Sequence, residues 1–94
     1  MPHAASHLRE NAQRHRFELE VDGQVVFLRY RQDGDRFAID HVEAPPALRG
    51  TGAAGRLMEG VMAVVRARGM KVVPICGYAA AWLRRHREWH DLRA

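Results

Sequence analysis

The sequence predicts a single α+β domain of order βββαβα, and three features of its pattern carry that expectation. Between Arg16 and Glu43, apolar and polar residues alternate in runs broken by Asp22-Gly23 and Asp33-Gly34. From about Thr51 the spacing becomes helical. A short β-branched run, "KVVPIC" at 71–76, then precedes a last helical stretch that holds both tryptophans. Ninety-four residues leave little room for a second core. Residues 13–94 are therefore expected to form the domain, and residues 1–12, which lack periodicity, a mobile lead-in.

Each element follows from its own residues. Phe17, Leu19 and Val21 fall on one face of the first strand, with Glu18, Glu20 and Asp22 on the other, the pattern of a half-buried strand. Asp22-Gly23 supplies a tight turn into "QVVFLRYR" at 24–31, rich in β-branched and aromatic residues. Asp33-Gly34 turns the chain into "RFAIDHVE" at 36–43, where alternation places Phe37, Ile39 and His41 on one face. These three strands read as an antiparallel meander. Pro45 and Pro46 end it. Leu57, Val61 and Val64, with Met58, Met62 and Val65 beside them, form a wide core-facing helical stripe. Arg66 and Arg68 suit the negative end of that helix, and Gly69 stops it. "KVVPIC" is expected to pair parallel to "RFAIDHVE", as a strand–helix–strand crossover demands, and Pro74 points to an edge strand. "YAAAWLRRHREWHDL" reads as the last helix, with Trp82, His86 and Trp89 along one side.

Composition narrows the class of function. The longest apolar runs, such as Val61–Val65, are too short to span a bilayer, and the polar, basic start shows no secretory signal. One cysteine, Cys76, excludes an internal disulfide and a Cys-rich zinc site, and no metal is expected. These features point to the cytoplasm. The formal charge is +4, and 14 of the 15 basic residues are arginine. That balance fits a phosphate-bearing partner, but the charges are scattered and argue weakly for nucleic acid.

The stretch "APPALRGTGAAGRLMEG" at 44–60 sets a flexible loop directly before the most regular helix. Unpaired amides and the positive dipole end at a helix start attract anions, and glycine lets the backbone close on a phosphate. The loop lacks the Lys-Ser/Thr pair of a P-loop and is not a first-strand G-x-G-x-x-G, so neither a triphosphatase nor a Rossmann site is supported. From the residues alone, a phosphate cradle and a plain glycine-rich connector both stay open.

Arg49-Gly50-Thr51-Gly52-Ala53-Ala54 resembles the Arg/Gln-x-x-Gly-x-Gly/Ala signature of the GNAT superfamily of N-acetyltransferases. In that superfamily the signature lies between the fourth strand and the following helix, and its amides hold the pyrophosphate of acetyl-coenzyme A. The small single-domain branch is closer still. It has patterns like His-Thr-x-Val-Pro, Val-Val-Pro-x-Cys and Tyr-x-x-x-His-Pro-x-Tyr. This chain offers His41-Val42-Glu43-Ala44-Pro45, Val72-Val73-Pro74-Ile75-Cys76, and Trp82, His86 and Trp89. The resemblance runs from about Arg16 to Leu92. Departures fall at Val42, at Gly77 and at Arg87, and the last, in place of proline, is expected to let the helix continue through Trp89.

The resemblance implies an acetyl-CoA-dependent N-acetyltransferase acting on an amine, with coenzyme A as co-substrate. It implies a GNAT-like fold with cofactor contacts at Arg49, Gly50, Thr51, Gly52, Ala53, Ala54 and Gly55. It also implies a pantetheine wall at Val42, Glu43 and Ala44. Cys76, ending the neighbouring strand, is a candidate nucleophile or acid, or an inert buried thiol. His41 is a candidate base, as histidine ordinarily titrates near neutrality, or a hydrogen-bonded core residue. His86 reads as packing. Arg84 and Arg85 belong to a solvated face, or Arg85 reaches the nucleotide end of coenzyme A. The long N-terminal helices that shape acceptor specificity in many GNAT enzymes are missing, so the implied acceptor groove is open, suited to a protein or polyamine amine. A non-catalytic coenzyme A-binding domain and a small basic nucleic-acid-binding protein are the rival readings.

Overall fold

A computed structural model describes residues 7–94; the first six residues of the expected lead-in lie outside the described residues. Five strands form one sheet in the order β1 (His7–Asn11), β2 (Arg16–Val21), β3 (Gln24–Asp33), β4 (Arg36–Glu43) and β5 (Lys71–Pro74). Helix α1 (Ala53–Ala67) connects β4 to β5, and α2 (Gly77–Arg85) follows β5. The first three pairings are antiparallel, and β4 and β5 are parallel as the crossover requires. At the β2–β3 turn Asp22 and Gly23 have φ of 51° and 78°, the paired left-handed conformation of a two-residue hairpin loop.

Strand β1 corrects the expectation of a lead-in through residue 12. Its pattern hides it because only Leu8 is a large apolar residue, and the other core-side position is Glu10. Glu10 is satisfied across the fold, accepting from the Tyr30 hydroxyl and, at 2.6 Å, from Arg68 Nη2 beyond the end of α1. The Arg68 and Tyr30 hydrogen bonds hold its carboxyl below the usual range, while burial pushes the Tyr30 phenol up to about 12.

The core lies between one face of the sheet and both helices. Phe37, Ile39, Leu28, Leu57, Val61 and Val72 are fully buried there, each side chain contributing about 1.5–3 kcal/mol. Both helices share this face: a Cβ at Gly55 of α1 would lie 3.6 Å from the Trp82 indole nitrogen of α2. Among the described residues the opposite face carries no helix, yet Glu18, expected to face solvent, is only 5% exposed. Arg16 and Arg9 reach it at 2.7 and 3.0 Å, and Arg16 above all holds its carboxyl below the usual range.

Two ends of elements differ from expectation. Helix α2 stops at Arg85 instead of continuing through Trp89, even though position 87 is not proline. The His86 and His90 rings each lie 2.7 Å from a terminal carbonyl, those of Trp82 and Leu83, and so replace the helix's own continuation. A 3-10 segment at 87–92 follows, and Trp89 turns toward α1, donating to Glu59 at 3.1 Å, while Trp82 and His86 stack 3.8 Å apart. Strand β5 is an edge strand as expected, its Val72 carbonyl accepting from the Ala94 amide.

Candidate functional site

The site is built where β4 and β5 part. Their pairing ends at Ile39 and Pro74, and the Ile75 and Cys76 amides both donate to the Ile39 carbonyl as the chain turns into α2. Among the described residues, strand β4 runs on to Glu43 without a partner on that side, so a splay opens. Within it, Asp40 is an extra residue: Arg29 pairs with His41 but Tyr30 pairs with Ile39. This bulge reverses the alternation beyond it. His41 therefore leaves the face of Phe37 and Ile39 and joins Phe27 on the helix-free face, correcting the expected side assignment.

The glycine loop closes the other wall. Gly50 and Gly52 have φ of 79° and 86°, a conformation that glycine alone adopts without strain. The Thr51 hydroxyl donates to the Leu48 carbonyl at 2.6 Å and accepts from the Ala53 amide at 3.3 Å, which fixes the loop from within. Arg49 reaches back, its Nε 3.1 Å from the Ala44 carbonyl. Among the described residues, the amides of Gly50, Gly52, Ala54 and Gly55 have no protein acceptor. These are four of the residues that line a cavity of about 390 Å³, together with Arg49, Leu48, Val42, Ala44 and Tyr78. A ring of unpaired amides at the start of a 15-residue helix can receive an anion, and apolar walls from Val42, Ala44 and Leu48 continue the cavity toward the splay.

The sequence model of GCN5-related N-acetyltransferases matches residues 16–92. The chain belongs to that family. The GNAT fold itself is seen in a solution NMR structure from Staphylococcus aureus of a "GCN5-like putative N-acetyltransferase". It matches with a TM-score of 0.77 at 20% identity, over 97% of this chain and 90% of that one. A search of the curated proteins finds no match. With β1 counted, the glycine loop follows the fourth strand, where the GNAT signature belongs.

Of the residues singled out in the sequence, Val42, Ala44, Arg49, Gly50, Gly52, Ala54 and Gly55 line the cavity. Thr51 serves the loop, and Ala53 is buried in the core. Glu43 points to the helix-free face with His41, whose Nε2 lies 2.9 Å from Glu43 Oε1. Cys76 is half-buried outside the lining; its Sγ accepts from the Ala79 amide at 3.4 Å and caps α2. Arg84 and Arg85 are exposed in the last turn of α2, outside the lining. The sequence reading missed Leu48 and Tyr78. Tyr78 is 39% exposed, and burial of part of the ring raises its phenol above the ordinary value, with Arg85 opposing. An aromatic residue in the first turn of a helix, directly after the Val-Val-Pro-x-Cys run, was the available signal.

Proposed function

We propose that the chain is an N-acetyltransferase that moves the acetyl group of acetyl-CoA to an amine. The observation that carries the reading is the cradle of unpaired amides, from Gly50, Gly52, Ala54 and Gly55, opening onto the cavity beside the splay. These amides and the α1 dipole fit a pyrophosphate, with Arg49 at the rim. Val42 and Ala44 form the wall that would hold the pantetheine arm, and unpaired β4 backbone there suits a donor to the acyl oxygen. Acetyl-CoA supplies an activated acyl group: a C–N bond forms, the C–S bond breaks with its electron pair on sulfur, and sulfur takes up one of the two protons the ammonium loses.

The chain's part is to orient the reactants and to move those protons. His41 is the proposed acceptor of a proton from the amine. Tyr78 and Cys76 are the candidates to protonate the sulfur. Tyr78 lines the cavity and its phenol is held protonated, which favours it over Cys76, whose sulfur is engaged at the α2 cap. The acceptor is proposed to be a primary amine of a protein or polyamine. A nucleic-acid role draws less support, because Arg9, Arg16, Arg31, Arg66 and Arg68 are already paired with carboxylates.

Calorimetric titration with acetyl-CoA, followed by mass spectrometry of products from lysine peptides and spermidine, tests the reading. Saturable binding with a gain of one acetyl group is expected. Binding without product would leave a coenzyme A-binding domain, and absence of binding would remove the cradle.

A further inference from the structure

The bulge at Asp40 has placed two reactive side chains behind the cavity. His41 and Glu43 project onto the helix-free face, whereas Val42 and Ala44, which alternate with them, line the cavity on the other. All four lie beyond Ile39, where β5 leaves β4, so this part of the strand is approached from both sides of the splay. The His41 and Glu43 side chains are 43% and 56% exposed. The imidazole is braced against Phe27, with ring centroids 6.1 Å apart, and the Arg16 guanidinium lies 4.4 Å from the centre of the same Phe27 ring. An ionised carboxylate only accepts, so the hydrogen shared by His41 and Glu43 belongs to Nε2. In the neutral ring this leaves the lone pair of Nδ1 free.

We infer that the acceptor amine enters from the helix-free face and gives a proton to His41 Nδ1, while Glu43 acts as a positioning residue that holds the ring through Nε2. The inference rests on the acetyl-transfer reading and goes beyond it in naming the basic atom, its partner and the side of approach. An ammonium must lose a proton before its nitrogen lone pair can form the new bond. Nδ1 takes that proton, Glu43 offsets the positive charge then carried by the ring, and the exposed ring returns the proton to water. The other charged groups facing His41 are Arg29, opposite it in register, and Asp40, which accepts twice from Arg31 at 2.7 and 2.9 Å. Arg16, beyond Phe27, is committed to Glu18. Among the described residues, Glu43 alone contacts the imidazole nitrogen, so it is the group whose removal the ring should feel most.

Two measurements test this on the full chain. Long-range proton–nitrogen NMR of the free protein should show neutral His41 protonated at Nε2, with that preference lost in Glu43→Ala. Acetylation of the lysine peptide or spermidine at saturating acetyl-CoA, followed from about pH 6 to 9, should show kcat reduced about tenfold in Glu43→Gln and about 10²-fold in His41→Gln. Acetyl-CoA affinity should stay at the wild-type value in both variants. A wild-type ring protonated at Nδ1, or variants with wild-type kcat, would overturn the dyad and leave acetyl transfer standing. A wild type that binds acetyl-CoA but acetylates no amine would overturn both.

Discussion

The two helices begin beside the same splay, yet their first turns are finished in opposite ways. At α1 no side chain caps Gly52, and the amides of Gly50, Gly52, Ala54 and Gly55 are left without protein acceptors among the described residues. At α2 the Cys76 sulfur takes the Ala79 amide, and the Cys76 carbonyl starts the helix by accepting from Ala80. Both termini carry the positive end of a dipole. The four open amides at α1 face the cavity from the glycine loop, whereas α2 is capped at Ala79 and brings Tyr78 to the lining.

That contrast is broken or sharpened by substitution. The largest effect is expected at Tyr78. Tyr78→Phe should lower turnover by about 10²-fold while acetyl-CoA binding persists. Cys76→Ala should mainly lose the α2 cap, at about 0.5 kcal/mol in a thermal melt, and Cys76→Ser should restore it. Turnover that collapses in Cys76→Ala and survives in Tyr78→Phe would return the acid role to the thiol.

Gly52→Val comes next. No protein atom blocks a Cβ there, the nearest being Arg56 Nη1 at 3.8 Å, so the penalty comes from a β-branched residue at φ 86° and from the lost approach to the anion. Coenzyme A affinity should fall at least tenfold, about 1.4 kcal/mol. Gly77→Ala in the first turn of α2, where nothing lies within 4 Å of the added Cβ, should leave affinity unchanged by calorimetry.

The far end of α1 is closed by Gly69 at φ 68° and by the Arg68–Glu10 pair. Glu10→Gln should cost about 1 kcal/mol at neutral pH. Since the folded state lowers the Glu10 pKa from 4.5, its contribution is full above that value and fades as the pH falls through the lower folded value. The difference in Tm between wild type and Glu10→Gln should therefore shrink in acid, and a gap that holds constant would separate Glu10 from the clamp. A small change is expected for Gly60→Ala. A helix interior gains about 1 kcal/mol from alanine, but the new Cβ would meet Leu8 Cδ2 at 2.7 Å. Leu8 is 37% exposed and free to rotate, so Tm should rise by a few degrees at most.

Elements whose cause is local were legible in the residues alone. Alternation set β2, β3 and β4, Asp22-Gly23 set its hairpin, and the α1 stripe and Gly69 set that helix, because each depends on residues a few positions apart. The glycine loop was legible for the same reason. Tertiary structure decided the rest. Strand β1 pairs with β2 and is tied down by Glu10 meeting Tyr30 and Arg68, the latter 58 residues away, a contact no local pattern contains. Helix α2 ends where two histidine rings take its carbonyls instead of where a proline would have broken it. The bulge at Asp40 shifts every later residue of β4 to the other face, and that one-residue slip, set by pairing with β3, sent His41 away from the core and left Val42 lining the cavity.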